Sequence, residues 1–551
     1  MMPEKLQNAW TAERLEAELI EEELRSRGLG AEPGHPNAPG ADEAEAPRAA
    51  GKRNLPVIEI SPRIAEVIDA AQEALRTAGD IYVRGQMLVH VVRDFSAPPW
   101  LKIPDGLPMI ALMGDARLRE LMSTAARWRK WDARNEQWKE TLPVDWAPKT
   151  LKERNEWPFP VLDGISDAPV LRADGTIHDK PGYDTRSRTI YAPGSIQWPA
   201  VKHEPTHEDA VTAFADLCEP FCDFPFAAPS DKAAAIAFLL SIVGRSAIEG
   251  PVPMFKSGST TPGAGKGLAV DVATIIATGK ESAKMLPTRD DNETRKRLLA
   301  IALSAPPVMV IDNIEGAFGS EVLAGAITAG SIADRVLGAS EHKTVPFRSV
   351  SAITGNNIQL QGDFGRRVIP IEIDPKMEHP EDRRDFRYPA LKEHVAEHRP
   401  ALYIAALTIL RAYFVAGRPR HPHPEKGSFE TWDRLVRGAI IWVSGVDPAA
   451  GVERIRESGG DLDLERLRAL VGAWWAVFAD REVTMVELFG EAITRPDLKA
   501  AIDAYAIKGD EVTTKWMGSK LAHLRGRQVG DMRIEHGGIA HGGSRKWRVA
   551  R

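Results

Sequence analysis

The sequence predicts an α/β protein built on a parallel sheet with helices packed on its faces. Three stretches predict it: a glycine-rich turn between a short apolar strand and a helix (251–279), an apolar run ending in an acid (306–312), and a second apolar run ending in Gly-Asn-Asn (349–357). Parallel strands buried on both faces read as near-continuous apolar runs, and open α/β sheets place ligand-binding groups at the carboxyl ends of their strands.

The chain has 551 residues, enough for two to four domains and a large core. Its 43% hydrophobic and 27% charged content is ordinary for a globular protein. No apolar run approaches the ~18 residues of a membrane span, and the charged N-terminus lacks the apolar stretch of a signal peptide. Two cysteines argue against a disulfide framework and suit a reducing cytoplasm. A net charge of −6 carries no global nucleic-acid signature, so any DNA contact must come from a local basic patch.

The first segment, 1–53, holds a charged helical stretch (11–28) and an Ala/Pro/Gly-rich linker with too little apolar area to offset chain entropy. An α+β domain is expected over 54–200. "RIAEVIDAAQEALRTAG" has helical spacing and stops at Gly79, and "IYVRGQMLVHVVRD" reads as a hairpin turning at Arg84-Gly85. Trp128, Trp131, Trp138, Trp146 and Trp157 lie among many charges. Such interleaving can stack on bases, but packing of a small domain with little regular structure is the preferred reading. "LRADGTIHDKPGYDTRSRTIYAPG" is turn-rich, with short strands.

The core is expected over 201–385. Residues 209–226 are helical up to an Asp-Phe-Pro break. His203, His207, Cys218 and Cys222 resemble a zinc set in spacing, yet the cysteines fall one helical turn apart among Ala, Phe and Leu, as buried core thiols do. Residues 231–248 form a largely apolar helix. "GSTTPGAGKG" (258–267) then approaches the phosphate-loop pattern G-x-x-x-x-G-K-[ST] with two departures, Thr260 for the first Gly and Gly267 for the last Ser or Thr. Strand, loop and helix give Thr261, Pro262, Gly263, Ala264, Gly265, Lys266, Gly267 and Leu268 the context of a nucleotide cradle. Backbone N–H groups converge there, the helix N-terminus adds positive potential, and Lys266 can reach the β- and γ-phosphates. In "PPVMVIDNIEG", Asp312 at the strand tip would hold magnesium. Asn356 or Asn357 would sense the γ-phosphate and position water. Arg366 and Arg367 sit where an arginine finger could act on a neighbouring subunit.

These pieces together resemble the AAA+ class of ATPases, specifically the superfamily 3 helicase module of phage and plasmid primase–helicase proteins. "TPGAGKG", "VIDNIEG" and "TGNNIQLQGDFGRRVIPIEID" carry the likeness, which spans roughly 160–551. It implies a P-loop AAA+ core, ATP and Mg2+ as cofactors, a homo-hexameric ring, single-stranded or forked DNA as partner, a separate primase, no membrane, and the cytoplasm of a bacterial host. It also implies that the hairpin at 333–350 enters the ring channel, with Glu341, His342 and Lys343 at its tip, where His342 and Lys343 would contact DNA. Two departures bear on rate. Gly267 offers magnesium no hydroxyl, and Asn313 stands where many relatives have a catalytic Glu, with Glu315 and Glu293 as substitutes nearby. Losing a general base typically costs ~10²–10⁴-fold.

Residues 386–480 read as a helical lid, with Arg434 and Arg437 as helix arginines of structural rather than nucleotide-binding role. Residues 481–551 suggest a winged helix: two helices, a recognition-helix candidate in "TTKWMGSKLAHLRG", and a Gly-tipped hairpin wing. From 508 to 551 ten Lys and Arg face four Asp and Glu, the electrostatic footprint of a DNA-binding module. Lys515, Lys520, Arg525 and Lys546 are its candidate DNA contacts. The expected function is an ATP-driven DNA helicase of a phage or mobile element. The alternatives are a DNA-binding initiator or assembly factor with ATP as a structural switch, and a nucleotide-sensing ATPase in antiviral defence.

Overall fold

The computed structural model describes residues 55–93, 108–288, 290–335, 342–457, 462–505, 512–541 and 543–551, and every element below lies in the compact unit Pro56–Arg551. The helix and linker read within 1–53, Glu341 and Lys508 fall outside the described residues.

The chain opens with β1 (Val57–Ile60), α1 (Ile64–Ala78), β2 (Tyr82–Arg84), β3 (Met87–Val92), β4 (Met109–Leu112), α2 (Asp115–Ala125), β5 (Arg127–Asp132), β6 (Gln137–Thr141) and α3 (Trp146–Glu153). They make two three-stranded sheets, β1-β5-β6 and β2-β3-β4, over a core that includes Ile68, Leu75, Leu118 and Trp128. This region is therefore more regular than expected. In "RWRKWD" only Trp128 turns inward, and its indole N–H donates to the Met122 carbonyl at 3.0 Å. Trp131 pairs across the hairpin with Trp138 on an exposed stretch. Charges on an exposed hairpin hid the strand from a reading based on apolar alternation.

Five short strands follow: β7 (Gly164–Ser166), β8 (Val170–Leu171), β9 (Ile177–His178), β10 (Gly182–Asp184) and β11 (Thr189–Tyr191). Arg84 locks this end of the chain to the rest. It is 1% exposed and donates to the carbonyls of Leu162, Asp163, Ala302 and Pro346 at 2.9–3.2 Å. Burial lowers its pKa to about 10, so it remains a cation satisfied by backbone dipoles.

Next come α4 (His207–Cys218) and α5 (Pro229–Val243). Cys218 packs against the core, and burial raises its thiol pKa. Cys222 is exposed, which corrects its reading as a core thiol. The helix stops at Cys218 and a 3-10 turn over Glu219–Phe221, started by Pro220, rotates Cys222 outward. Among the described residues no group of three or more His, Cys, Asp or Glu is placed to hold a metal ion.

The centre is β12 (Met254–Ser259), α6 (Lys266–Thr278), β13 (Lys284–Met285), α7 (Asp291–Ser304), β14 (Val308–Phe318), α8 (Glu321–Ala329), β15 (Ser331–Arg335), β16 (His342–Pro346), β17 (Val350–Leu360) and β18 (Val368–Glu372). The strands β13-β14-β17-β12-β18 form one parallel sheet in that order. Every residue of β12 is buried, as a central strand covered on both faces requires. Behind the sheet lie α9 (Leu391–Val415), a helical segment that passes through a π turn at Asp433–Arg437 into α10 (Gly438–Ser444), and α11 (Gly451–Glu457). One hydrophobic core joins Leu240, Val272, Val310, Ile353, Leu407 and Trp432. Arg437, nearly buried, pairs with Asp433 and Asp447, each at 2.7 Å.

The chain ends with α12 (Leu462–Phe478), β19 (Val483–Thr484), α13 (Met485–Ala492), α14 (Pro496–Asp503), α15 (Thr514–Leu524), β20 (Gln528–Val529), β21 (Met532–Ile539) and β22 (Arg545–Ala550). The antiparallel sheet β19-β22-β21-β20 covers a second core of Leu467, Trp474, Leu488, Leu521 and Trp547. That core begins in α12, upstream of residue 481. No described helix is long and apolar enough to cross a membrane.

Candidate functional site at the carboxyl end of the sheet

The glycine loop leaves β12 at Ser259 and enters α6 at Lys266. Gly263 and Gly265 take φ of +74° and +89°, which side chains disfavour, and Gly265 caps the helix. Ser259 Oγ accepts from the Thr261 N–H at 3.1 Å, and Ser257 Oγ donates to the Lys266 carbonyl at 3.0 Å. Lys266 Nζ donates to the Thr261 carbonyl at 3.1 Å, so it arches back over the loop. Desolvation lowers its pKa, against an opposing pull from Asp312.

Asp312 does not end its strand: β14 runs on to Phe318, and β17 runs on past Asn357 to Leu360. What the sequence reads as a strand tip is a β-bulge. Ile311 pairs with Ile353 and Ile314 with Gly355, so Asp312 and Asn313 together oppose Thr354. Asn313 takes φ +61° to make the kink, a device common beside active sites. The strands approach so closely that a Cβ on Gly355 would lie 1.9 Å from the Ile314 carbonyl oxygen.

The bulge decides which side chains meet. Thr354 and Asn356 share one face of β17, and directly paired residues share a face of the sheet. Thr354 donates a hydrogen bond to Asp312 Oδ1, Glu315 pairs with Asn356, and Ser257 and Ser259 pair with Thr354 and Asn356. Because Ser257 bonds Lys266, this is the face that α6 covers. Asp312, Glu315, Thr354 and Asn356 are thus aligned toward the loop, with Glu315 brought there by the extra residue. Asn313 is exposed and bonds through its N–H to Asp312 Oδ1 at 3.0 Å. Both bonds to Asp312 end on Oδ1, which leaves Oδ2 for a cation. The Asn356 amide oxygen is buried with no hydrogen-bond partner. Asn357 is exposed at φ +49°. Glu293, on α7, is paired with Arg297 at 2.8 Å.

Beside the loop opens a cleft of about 640 Å³, lined by Gly263, Ala264, Gly265 and Leu268 together with Phe224, Met377, Tyr388 and Leu391. Its volume is in the range of small-ligand sites. The sequence names Glu315 only as a nearby substitute for a catalytic Glu, and it does not point to Thr354 or to the Phe224 and Met377 walls. Thr354 had a signal in its place two residues before Asn356, and Phe224 had none.

Arg366 and Arg367 close a 3-10 turn at Gly362–Arg367; Arg366 is exposed, and Arg367 Nε donates to Thr328 Oγ1 of its own α8 at 2.7 Å. The β15–β16 hairpin pairs from Ser331 with Pro346 up to Arg335 with His342. His342 and Lys343 therefore belong to β16 and not to the tip, a correction that follows from pairing beginning at Ser331. Lys343 Nζ donates to Asn155 Oδ1 at 3.0 Å. In the C-terminal module α15 buries Met517, Leu521 and Leu524, leaves Lys515 exposed and Lys520 partly so, and is followed by exposed Arg525; Lys546 lies partly exposed on β22.

No protein-family model matches the chain, and no curated protein does. Among solved structures it is similar to the apo A form of the NrS-1 C-terminal region, at 13% identity and TM-score 0.34, covering 78% of this chain and 98% of that one. A 305–718 version of the same region is similar at 13% identity and TM-score 0.32, covering 80% and 100%. What the fold and site define is the class: an α/β protein with a five-stranded parallel sheet flanked by helices and a glycine loop at its carboxyl edge. The reading of its function rests on this chain's own residues.

Proposed function

We propose that the chain is an ATP-dependent, ring-forming DNA helicase or translocase in the replication of a phage or mobile element. One observation carries the reading: Asp312, Glu315 and Asn356 lie on the face of the sheet that α6 covers, α6 itself begins at Lys266, and a cleft of nucleoside size opens beside the loop. The loop N–H groups and the α6 N-terminus receive the phosphates, and Lys266 neutralises them. Phe224, Met377 and Leu268 enclose the base. Asp312 Oδ2 would hold Mg2+, which would supply charge neutralisation during phosphoryl transfer. Glu315 takes the proton of the attacking water in the role that Asn313 cannot fill, and Asn356 orients that water. Arg366 reaches the site of the next subunit, with Arg367 anchored behind it.

For DNA, the β15–β16 hairpin with His342 and Lys343 follows one strand, and the C-terminal module acts as a winged helix. There α15 serves as recognition helix, with Lys515, Lys520, Arg525 and Lys546 on phosphates or groove. A second reading, an initiator or assembly factor that uses ATP as a switch, is favoured by Gly267 and Asn313. Strand displacement from a forked duplex tests the choice. The helicase reading requires ATP-dependent release of the labelled strand. Tight fork binding with ATP and no release selects the initiator.

A further inference from the structure

Gly267 removes from the loop the hydroxyl that its pattern calls for, and the structure places a cation beside that gap. A Cβ built on Gly267 has one neighbour within 4 Å, Lys284 Nζ at 3.5 Å. Gly267 and Asp271 stand one turn apart on the same flank of α6, and Lys284 spans them from β13. Its ammonium pairs with Asp271 Oδ2 at 3.0 Å. Asp271 is 2% exposed and also accepts from Ser282 Oγ at 2.9 Å, so the anchor is fixed, and Lys392 adds a second cation 3.5 Å from the same oxygen. Lys284 pairs with Val310, two residues before Asp312 and on the α6 face. One contact to Asp271 leaves ammonium protons for another acceptor.

We propose that Lys284 is a phosphate-binding residue, which places an ammonium where other loops of this type place a hydroxyl-bound metal ion. This rests on the nucleotide-binding reading above and adds a consequence to it. A fixed ammonium at the phosphates substitutes for part of the metal's charge, so the protein holds a nucleoside triphosphate without divalent cation. With a hydroxyl at 267 and no lysine at 284, binding would depend on the metal. Gly267 is then matched to Lys284, since an added side chain would compete with the ammonium for the same space.

The test is equilibrium binding of a fluorescent ATP analogue to the full-length chain, in magnesium and in EDTA. The wild-type protein is expected to lose less than tenfold in affinity when magnesium is removed. Lys284→Gln, which keeps a hydrogen-bond donor for Asp271, is expected to lose at least tenfold more than wild type in EDTA and only a few-fold in magnesium. Lys284→Arg is expected to restore metal-free binding, which a loss of folding would not allow. Wild-type affinity in EDTA unchanged by Lys284→Gln overturns the proposal. Absence of binding by wild type even in magnesium overturns the nucleotide reading itself.

Discussion

Thr354 donates its hydroxyl hydrogen to the carboxylate of Asp312, from one strand to the next across the bulge at Asn313. Both described hydrogen bonds to this carboxylate fall on Oδ1. Hydrogen bonds to charged groups contribute about 1.5–3 kcal/mol. The Thr354 bond orients the proposed metal ligand, so Thr354→Val is expected to remove most of the few-fold affinity that magnesium adds, with little change in EDTA. Titration of a nucleotide analogue in both conditions checks it.

In the mechanism proposed above, Glu315 and not Asn313 is the general base. Glu315→Gln is expected to lower ATP turnover by about 10²–10⁴-fold with nucleotide affinity within a few-fold of wild type. Asn313→Ala, at an exposed residue whose contact to Asp312 is through the backbone, is expected to keep most of the turnover. Steady-state rates beside equilibrium binding separate the two; the reverse ranking would rule out Glu315 as the base.

Gly355 is required by the closeness of β14 and β17. A methyl group there meets the Ile314 carbonyl at 1.9 Å, inside any tolerable contact. Overpacking of this kind costs about 1–3 kcal/mol or more. Gly355→Ala is expected to lower the denaturation midpoint and to reduce nucleotide binding, whereas Gly316→Ala, where a Cβ meets nothing within 4 Å, is limited to the strain of its φ of +68°.

In the proposed DNA-binding role the C-terminal cations have a salt signature. Removing a cation that neutralises one DNA phosphate reduces the slope of log affinity against log salt by roughly 0.9. Lys520→Ala and Arg525→Ala are expected to weaken duplex binding uniformly across sequences and to lower that slope by about one apiece. A salt series by fluorescence anisotropy measures it. An unchanged slope would place the DNA elsewhere.

Much of the centre was legible because buried parallel strands announce themselves as apolar runs. "MVID" and "SAIT" located β14 and β17, and the glycines located the turn into α6. The bulge was hidden, since nothing in "DNIE" marks Asn313 as left-handed, and so the strand was read as ending at Asp312 and Glu315 as misplaced. Lys284 was invisible for another reason: β13 has only two residues, too short for any period, and its link to Gly267 is made by packing. Cys222 was misread because a proline in the next turn stopped the helix.

The most direct measurement is ATP turnover by the purified chain with and without single-stranded DNA, beside Lys266→Ala. The account predicts turnover stimulated by DNA in the wild type and absent in the variant, since Lys266 is the loop's own cation for the phosphates. Wild-type turnover no greater than that of Lys266→Ala, with DNA present, would contradict it.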